Sequence, residues 1–149
     1  MKILITGAGG WLGSELTERL LEEGNSIRAF VLFSSKKLSE LKEKYNDLIE
    51  IVEGDICNKN DIDKCLEEID TVYHLAAKVH SLPKSKEEEE QFFKINTEAT
   101  EQLFQLCLKH KVKRVIFYSS VSVYGESEKI IDVNSPKNPV TAYAKSKLM

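Results

Sequence analysis

The stretch K-I-L-I-T-G-A-G-G-W-L-G, residues 2–13, decides the fold of this chain. Its first part, residues 3–6, is a short apolar run rich in β-branched side chains, which is typical of a buried strand. The glycine-rich turn that follows leads directly into the amphipathic segment 11–23. A strand, a tight turn and a helix in this order predict a site at which the backbone of the turn approaches a dinucleotide.

The glycines of this turn are spaced as G-x-x-G-x-x-G, at Gly7, Gly10 and Gly13. The related spacing G-x-G-x-x-G does not fit, because Leu12 stands where its last glycine would be. One glycine permits the tight turn, one lets the backbone approach a pyrophosphate, and one lets the helix pack close to the strand. The helix that begins near Trp11 would offer free N–H groups and a positive dipole end to the phosphates. The alternative is a turn without a ligand, which the strand-to-helix context disfavours.

Apolar runs and amphipathic stretches alternate along the rest of the chain. The predicted strands cover residues 3–6, 27–33, 48–52, 71–75 and 112–119. The predicted helices cover residues 11–23, 36–45, 58–69 and 87–111. Continuous rather than alternating apolar runs indicate parallel strands that are buried on both faces. We therefore predict an α/β fold with a doubly wound parallel sheet, Rossmann-like, that ends after about five strands.

Composition narrows the class of protein. The chain has 149 residues, which fits one domain, and its net charge of −3 gives no support to a nucleic-acid or acidic-membrane partner, so neither is expected. Its three cysteines, Cys57, Cys65 and Cys107, form no C-x-x-C pair and no metal-like spacing with histidine. An odd number of cysteines favours reduced thiols in a cytoplasmic protein, and no metal site is expected.

The segment after the second predicted strand bears on the choice of dinucleotide. A carboxylate that binds the ribose is expected about 20 residues after the glycine turn, but residues 31–33 are apolar. Ser34, Ser35, Lys36 and Lys37 follow, and hydroxyl and ammonium groups could hold a 2′-phosphate. This pattern favours NADP over NAD, with Ser34 and Lys36 as cofactor contacts. The alternative is a polar loop that caps the next helix.

A second motif lies at the end of the chain, where Tyr143 and Lys147 are four residues apart and would share one helix face. A nearby ammonium and a cationic nicotinamide both favour a phenolate. Tyr143 could then exchange a proton with a substrate oxygen while the nicotinamide exchanges a hydride. Ser120 follows the last predicted strand and could orient that oxygen, although Ser119 and Ser122 are competitors.

Together these residues resemble the extended short-chain dehydrogenase/reductase family, which includes nucleotide-sugar epimerases and dehydratases. The segments that carry the resemblance span nearly all of the chain. They are T-G-A-G-G-W-L-G at 6–13, G-D-I at 54–56, Y-H-L-A-A at 73–77, K-I-N-T-E-A-T at 94–100, F-Y-S-S-V-S-V-Y-G at 117–125, P-x-x-P at 136–139 and Y-A-K-S-K at 143–147.

The resemblance implies a set of cofactor contacts and a catalytic Ser-Tyr-Lys triad. The implied contacts are Gly7, Gly10, Trp11, Leu12 and Gly13 at the pyrophosphate, Asp55 and Ile56 at the adenine, Leu75, Ala76 and Ala77 along the cofactor, Asn96 and Tyr118 facing the site, and Lys147 at the nicotinamide ribose. The implied catalytic residues are Ser120, Tyr143 and Lys147. Structural alternatives exist for Asp55 as a turn residue, for both alanines as simple packing and for Asn96 as a helix-surface amide.

The histidines add little to this assignment. The run H-L-A-A-K-V-H favours the nucleotide-sugar branch and would bring Lys78 and His80 near the substrate, although a surface histidine is the alternative for His80. His74 is expected to be a paired core residue. His110 is expected to be a cation at a helix C-terminus.

Family members run to about twice this length, with later strands and a small substrate domain. We therefore expect residues 1–149 to be the NAD(P)-binding Rossmann domain of a longer enzyme, able to bind a dinucleotide but not to turn over. The expected substrate is a nucleotide sugar. An NADP-dependent carbonyl reductase and a noncatalytic cofactor-binding module are the alternatives. Relatives often dimerise through helices that correspond to residues 87–111 and to the helix near Tyr143, so a homodimer is one expectation.

Overall fold

The computed structural model describes residues 1–79, 82–128 and 130–148. His80 lies outside the described residues, so its expected place near a substrate stays a prediction. The chain forms two compact units. The first, which we call the sheet unit, comprises Met1–Ala76 and Glu101–Tyr118, and the second, the helical unit, comprises Ala77–Thr100 and Ser119–Met149.

The sheet unit contains five parallel strands in the order β3-β2-β1-β4-β5. The strands are β1 (Lys2–Thr6), β2 (Ser26–Val31), β3 (Ile49–Glu53), β4 (Thr71–His74) and β5 (Arg114–Phe117). The order steps outward from β1 to β2 and β3, and then returns to the other side of β1 for β4 and β5. This reversal of direction is the defining feature of a doubly wound sheet, so the predicted fold class is confirmed.

One face of the sheet is covered by α1 (Trp11–Glu22) and α2 (Lys36–Tyr45). Alternate strand residues such as Ile3, Ile5 and Ala29 are fully buried there, and they form one apolar core with side chains of both helices. Because side chains alternate across a strand, this face takes every second residue.

The opposite face takes the intervening residues, including Leu4 and Val72. It is contacted by α3 (Lys59–Cys65), where Arg28 donates to the carbonyl of Cys65 at 2.8 Å, and by α5 (Ala99–Lys109), whose Phe104 ring centroid lies 6.5 Å from that of His74. Asp63 of α3 links the two helices, because its carboxylate accepts from Lys109 Nζ at 2.8 Å and contacts His110 Nε2 at 2.6 Å. These contacts hold the pKa of Asp63 below its usual value. His110 follows the last turn of α5, which agrees with its expected position at a helix C-terminus.

The helical unit contains α4 (Lys86–Phe93), a π-helical turn at Lys94–Glu98, a 3₁₀ turn at Val121–Tyr124 and α6 (Ala142–Leu148). We predicted one uninterrupted helix over residues 87–111. The π turn divides it, and α5 ends at Lys109. Ser85 caps α4, because its hydroxyl accepts from the backbone N–H of Glu88 at 3.2 Å.

Most predicted segments differ from the observed elements by one or more residues at a boundary, and three of these differences are among the largest. Strand β2 ends at Val31 rather than at residue 33, because Leu32 and Phe33 leave the sheet and are exposed. Strand β5 begins at Arg114, since the N–H of Val112 still donates to a carbonyl of α5. Helix α3 ends at Cys65 rather than at residue 69, because Glu68 has a φ of 60°, which a helix does not allow.

In the part of the chain that the structure describes, no helix combines the length and the apolar character that a membrane crossing requires.

Candidate functional site

The first glycine of the turn lies directly against the end of β4. Gly7 has a φ of +73°, and a Cβ atom on it would lie 2.7 Å from the backbone nitrogen of Ala76. That N–H donates to the hydroxyl of Thr6 at 3.2 Å. The backbone of the turn and the alanine therefore approach each other more closely than any side chain would permit.

The third glycine brings the start of α1 onto the turn. A Cβ atom on Gly13 would lie 2.2 Å from the carbonyl oxygen of Gly7. No side chain caps the N-terminus of α1 at Gly10, and the first turn of the helix carries no acidic residue. Its N–H groups and its positive dipole end are therefore available to an anion, which is what the pyrophosphate of a dinucleotide requires. Trp11, the first residue of α1, is 82% exposed beside this turn.

A buried polar pair joins the ends of β1 and β4 beside the glycine turn. Thr6 Oγ1 and His74 Nδ1 share a hydrogen bond of 2.6 Å, and both residues are fully buried. The imidazole ring stacks on Phe117, with 5.8 Å between ring centroids. His74 is therefore a paired core residue, as expected. Because Thr6 also accepts from Ala76, this pair sets the position of Leu75 and Ala76 relative to the turn.

Asp55 and Ile56, the expected adenine contacts, follow β3. The carboxylate of Asp55 accepts from the backbone N–H of Cys57 at 2.9 Å, which is the geometry of an Asx turn. Asp55 is exposed and Ile56 is buried. The turn role of Asp55 is thus present in the structure, and its contact with adenine stays a prediction.

The serine and lysine run after β2 leads into α2, and the cofactor contacts expected at Ser34 and Lys36 stay predictions. Ser35 caps α2, accepting from the N–H of Leu38 at 3.4 Å. Lys37 Nζ lies 2.5 Å from the carboxylate of Glu18, and this pair raises the pKa of Lys37. The side chain of Lys36 is 92% exposed. Ser35 therefore has the alternative role that we considered for this loop, which is to cap the next helix.

Tyr143 and Lys147 both lie on α6 in the helical unit. Lys147 is only 5% exposed, and burial lowers its pKa to about 8. Ser120 stands just before the 3₁₀ turn, where its hydroxyl accepts from the N–H of Ser122 at 3.2 Å. The hydroxyl of Ser119 donates to the carbonyl of Lys147 at 3.3 Å. Ser119 thus contacts the backbone of α6, whereas Ser120 caps the turn.

Asn96 anchors α6 from the π turn. Its side chain is 2% exposed, accepts from the N–H of Lys78 at 2.7 Å and donates to the carbonyl of Lys78 at 3.0 Å. Its second amide N–H donates to the hydroxyl of Ser146 at 2.9 Å, which in turn donates to the carbonyl of Tyr143 at 2.9 Å. Thr97 donates to the carbonyl of Ser146 at 3.0 Å. Both N–H groups of the Asn96 amide are engaged within the helical unit, which favours a positioning role over the surface amide that we considered.

Burial of Lys147 leads to a prediction about stability. The pKa of Lys147 falls from 10.5 to about 8 on folding because burial disfavours the charged form, so keeping this ammonium protonated at pH 7 costs free energy in the folded chain. Lys147→Met should therefore raise the free energy of unfolding at pH 7 by roughly 1–3 kcal/mol. The gain should shrink between pH 8 and pH 10.5, because the unmodified lysine loses its proton in the folded state first. Denaturant unfolding at several pH values measures both effects.

Lys145→Met is the matched control, because Lys145 is an exposed lysine of the same helix. It should leave the free energy of unfolding nearly unchanged at every pH. Equal gains in the two variants would show that burial of Lys147 is not the cause.

The predicted site residues divide between the two units. The sheet unit holds Gly7, Gly10, Trp11, Leu12, Gly13, Ser34, Lys36, Asp55, Ile56, Leu75, Ala76 and Tyr118. The helical unit holds Ala77, Asn96, Ser120, Tyr143 and Lys147. The contacts described above bring the glycine turn against Ala76 within the first unit, and Asn96 against α6 within the second.

The parallel sheet order and the glycine turn define a protein of the dinucleotide-binding, Rossmann-like class. Comparison with family models is more specific: the chain belongs to the NAD dependent epimerase/dehydratase family, whose model matches residues 3–149.

Individual relatives agree with this assignment. A UDP-glucose 4-epimerase of Pisum sativum is 30% identical over 158 residues, covering 99% of this chain and 45% of the relative. The structure of the UDP-Glc/GlcNAc 4-epimerase from Campylobacter jejuni superposes with a TM-score of 0.89 at 27% identity, covering 99% of this chain and 46% of that one. MoeE5 in complex with UDP-glucose and NAD superposes with a TM-score of 0.85 at 28% identity, and the match covers 99% of this chain and 46% of the MoeE5 chain.

Two facts follow from these comparisons. The chain spans about half the length of the relatives that it matches. The dinucleotide in the similar MoeE5 structure is NAD, and nothing in the comparisons supports our preference for NADP.

Proposed function

We propose that this chain binds NAD at the glycine turn and is the cofactor-binding part of a nucleotide-sugar epimerase, dehydratase or reductase. The observation that carries the proposal is the cradle of Gly7 and Gly13 before the uncapped N-terminus of α1. A Cβ atom at either glycine would occupy backbone positions, so the turn is built for close backbone approach. The uncapped start of α1 then offers free N–H groups and a positive dipole end to the negatively charged pyrophosphate.

The substrate class rests on the relatives. One relative is a UDP-glucose 4-epimerase of Pisum sativum, and one similar structure is MoeE5 in complex with UDP-glucose and NAD. A UDP-hexose is therefore the first substrate to test. NAD, when bound, supplies a nicotinamide carbon that can take a hydride from a sugar carbon and return it.

The residues of the helical unit are proposed to handle the proton. Tyr143 exchanges a proton with the reacting oxygen of the sugar, and Ser120 donates a hydrogen bond to that oxygen. Lys147, with its pKa lowered to about 8 by burial, is still mostly protonated at pH 7 and supplies a positive charge four residues from Tyr143 on the same helix. Asn96 acts through Ser146 to hold the helix that carries both groups.

Thermal unfolding with NAD, with NADP and without ligand tests the cofactor assignment. NAD at about 100 times its dissociation constant should add about 2.7 kcal/mol of stability, which raises the melting temperature of a domain of this size by roughly 5–10 °C. Trp11 is the only tryptophan of the chain and lies at the start of α1, so its fluorescence should report the same binding event. A cooperative transition that neither dinucleotide shifts would contradict the proposal.

A further inference from the structure

The carboxylate that was missing from the end of β2 has a counterpart at the end of β3. Glu53, the last residue of β3, accepts from the backbone N–H of Ser34 at 2.9 Å through Oε1. Val31, the last residue of β2, is its register partner in the parallel sheet. The carboxylate of Glu53 thus lies on the loop that follows β2, where a ribose-binding acid is expected in this class of fold.

This loop lies next to the glycine turn. A Cβ atom on Gly9 would lie 3.4 Å from a side-chain carbon of Val31 and 3.5 Å from the carbonyl oxygen of Phe33. The N–H of Gly7 donates to the carbonyl of Phe30 at 3.0 Å. The segment that Glu53 holds is therefore continuous with the backbone of the proposed pyrophosphate cradle.

The charge of Glu53 is not compensated by a cation. Among the described ranges, no lysine or arginine forms an ion pair with it. Of the two lysines that would have held a 2′-phosphate, Lys37 is paired with Glu18, and Lys36 lies 3.7 Å from Glu40. The loop therefore carries an exposed carboxylate with which no lysine or arginine in the described part of the chain forms an ion pair.

We propose that Glu53 is the residue that selects NAD over NADP in this chain, supplied by β3 instead of β2. A carboxylate has two oxygens, so one can stay on Ser34 while the other accepts from a ribose 2′-hydroxyl. A 2′-phosphate in that position would place about two negative charges against the carboxylate. The inference rests on the proposed function, because it concerns the dinucleotide bound at the glycine turn.

The test compares the dissociation constants for NAD and NADP in the unmodified chain and in Glu53→Gln, by Trp11 fluorescence and calorimetry. The unmodified chain should bind NAD at least 10-fold more tightly than NADP at low salt, as expected for repulsion between close charges. Glu53→Gln keeps an acceptor for Ser34 and removes the charge, so its affinity for NADP should rise by about 10-fold. Its affinity for NAD should fall by a smaller factor, about 3-fold, because a charged acceptor is replaced by a neutral one.

Glu43→Gln is the control, since Glu43 is an exposed residue of α2 and its substitution changes the net charge equally. It should leave the ratio of the two dissociation constants unchanged. Raising the salt concentration to 0.5 M should bring the ratio of the two dissociation constants closer to 1 in the unmodified chain, because salt screens the repulsion between Glu53 and the 2′-phosphate. In Glu53→Gln the ratio should barely change.

The outcomes distinguish the two proposals. Equal affinities for NAD and NADP in the unmodified chain, or a ratio that Glu53→Gln leaves unchanged, would overturn the selective role of Glu53 while NAD binding stands. Binding of neither dinucleotide by a cooperatively folded chain would overturn the proposed function and this inference with it.

Discussion

Gly13→Ala is expected to abolish NAD binding and to destabilise the chain by about 3 kcal/mol or more, since overpacking against fixed atoms cannot be relieved by a change of rotamer. The new Cβ atom would lie 2.2 Å from the carbonyl oxygen of Gly7 and 2.8 Å from the Cα atom of Ala8. Both are backbone atoms of the turn. The start of α1 would have to move away, and its N–H groups would leave the position in which they meet a pyrophosphate. Denaturant unfolding and NAD titration measure the two effects.

Gly24→Ala is the matched control for this substitution. Gly24 has a positive φ, +78°, which Gly13 does not, but a Cβ atom there would meet no atom within 4 Å. Its replacement should lower stability by about 1 kcal/mol through backbone strain alone and leave NAD affinity unchanged. If Gly13→Ala bound NAD as tightly as Gly24→Ala does, the cradle would not be the binding site.

The alternation of strand and helix was predictable because each element carries its own local signal. The apolar runs at β1 and β4 are continuous rather than alternating, which is typical of a parallel sheet buried on both faces. The range of α2 was predicted correctly as residues 36–45, because a serine cap precedes it and a turn follows. Segment ends were predicted less well: Phe33 is apolar but exposed, and no local pattern distinguishes it from a strand residue.

Only part of the candidate site could be predicted from the sequence, because some of its contacts join residues that are far apart in the chain. The role that we propose for Glu53 depends on the register of β3 against β2, which pairs it with Val31 and brings its carboxylate to the N–H of Ser34. A search for an acid directly after β2 misses it. Asn96 was predicted to face the site, which stays a prediction, and its hydrogen-bond partner Ser146 is 50 residues away and is an ordinary helix residue in the sequence. Nothing local predicts the π turn at Lys94–Glu98, which interrupts an otherwise regular amphipathic pattern.

The helical unit holds its candidate acid–base residue by backbone contacts that leave the side chain unaffected. The carbonyl of Tyr143 accepts from Ser146, and Ser146 is held by Asn96. Removing the phenolic oxygen therefore disturbs none of the hydrogen bonds that anchor α6. Tyr143→Phe is for this reason a clean test of the proposed proton transfer.

In the protein that carries this chain, Tyr143→Phe should lower the turnover of a UDP-hexose by about 10²–10⁴-fold, the range for loss of a general acid–base group. NAD affinity should stay unchanged, because Gly7 and Gly13 belong to the sheet unit. Chromatography of UDP-glucose and its products measures the first effect, and Trp11 fluorescence measures the second. Tyr45→Phe, on α2, is the matched control and should affect neither. Turnover that survives in Tyr143→Phe would contradict the assignment of Tyr143, whereas an unmodified protein that binds NAD but converts no UDP-hexose would favour the noncatalytic cofactor-binding module.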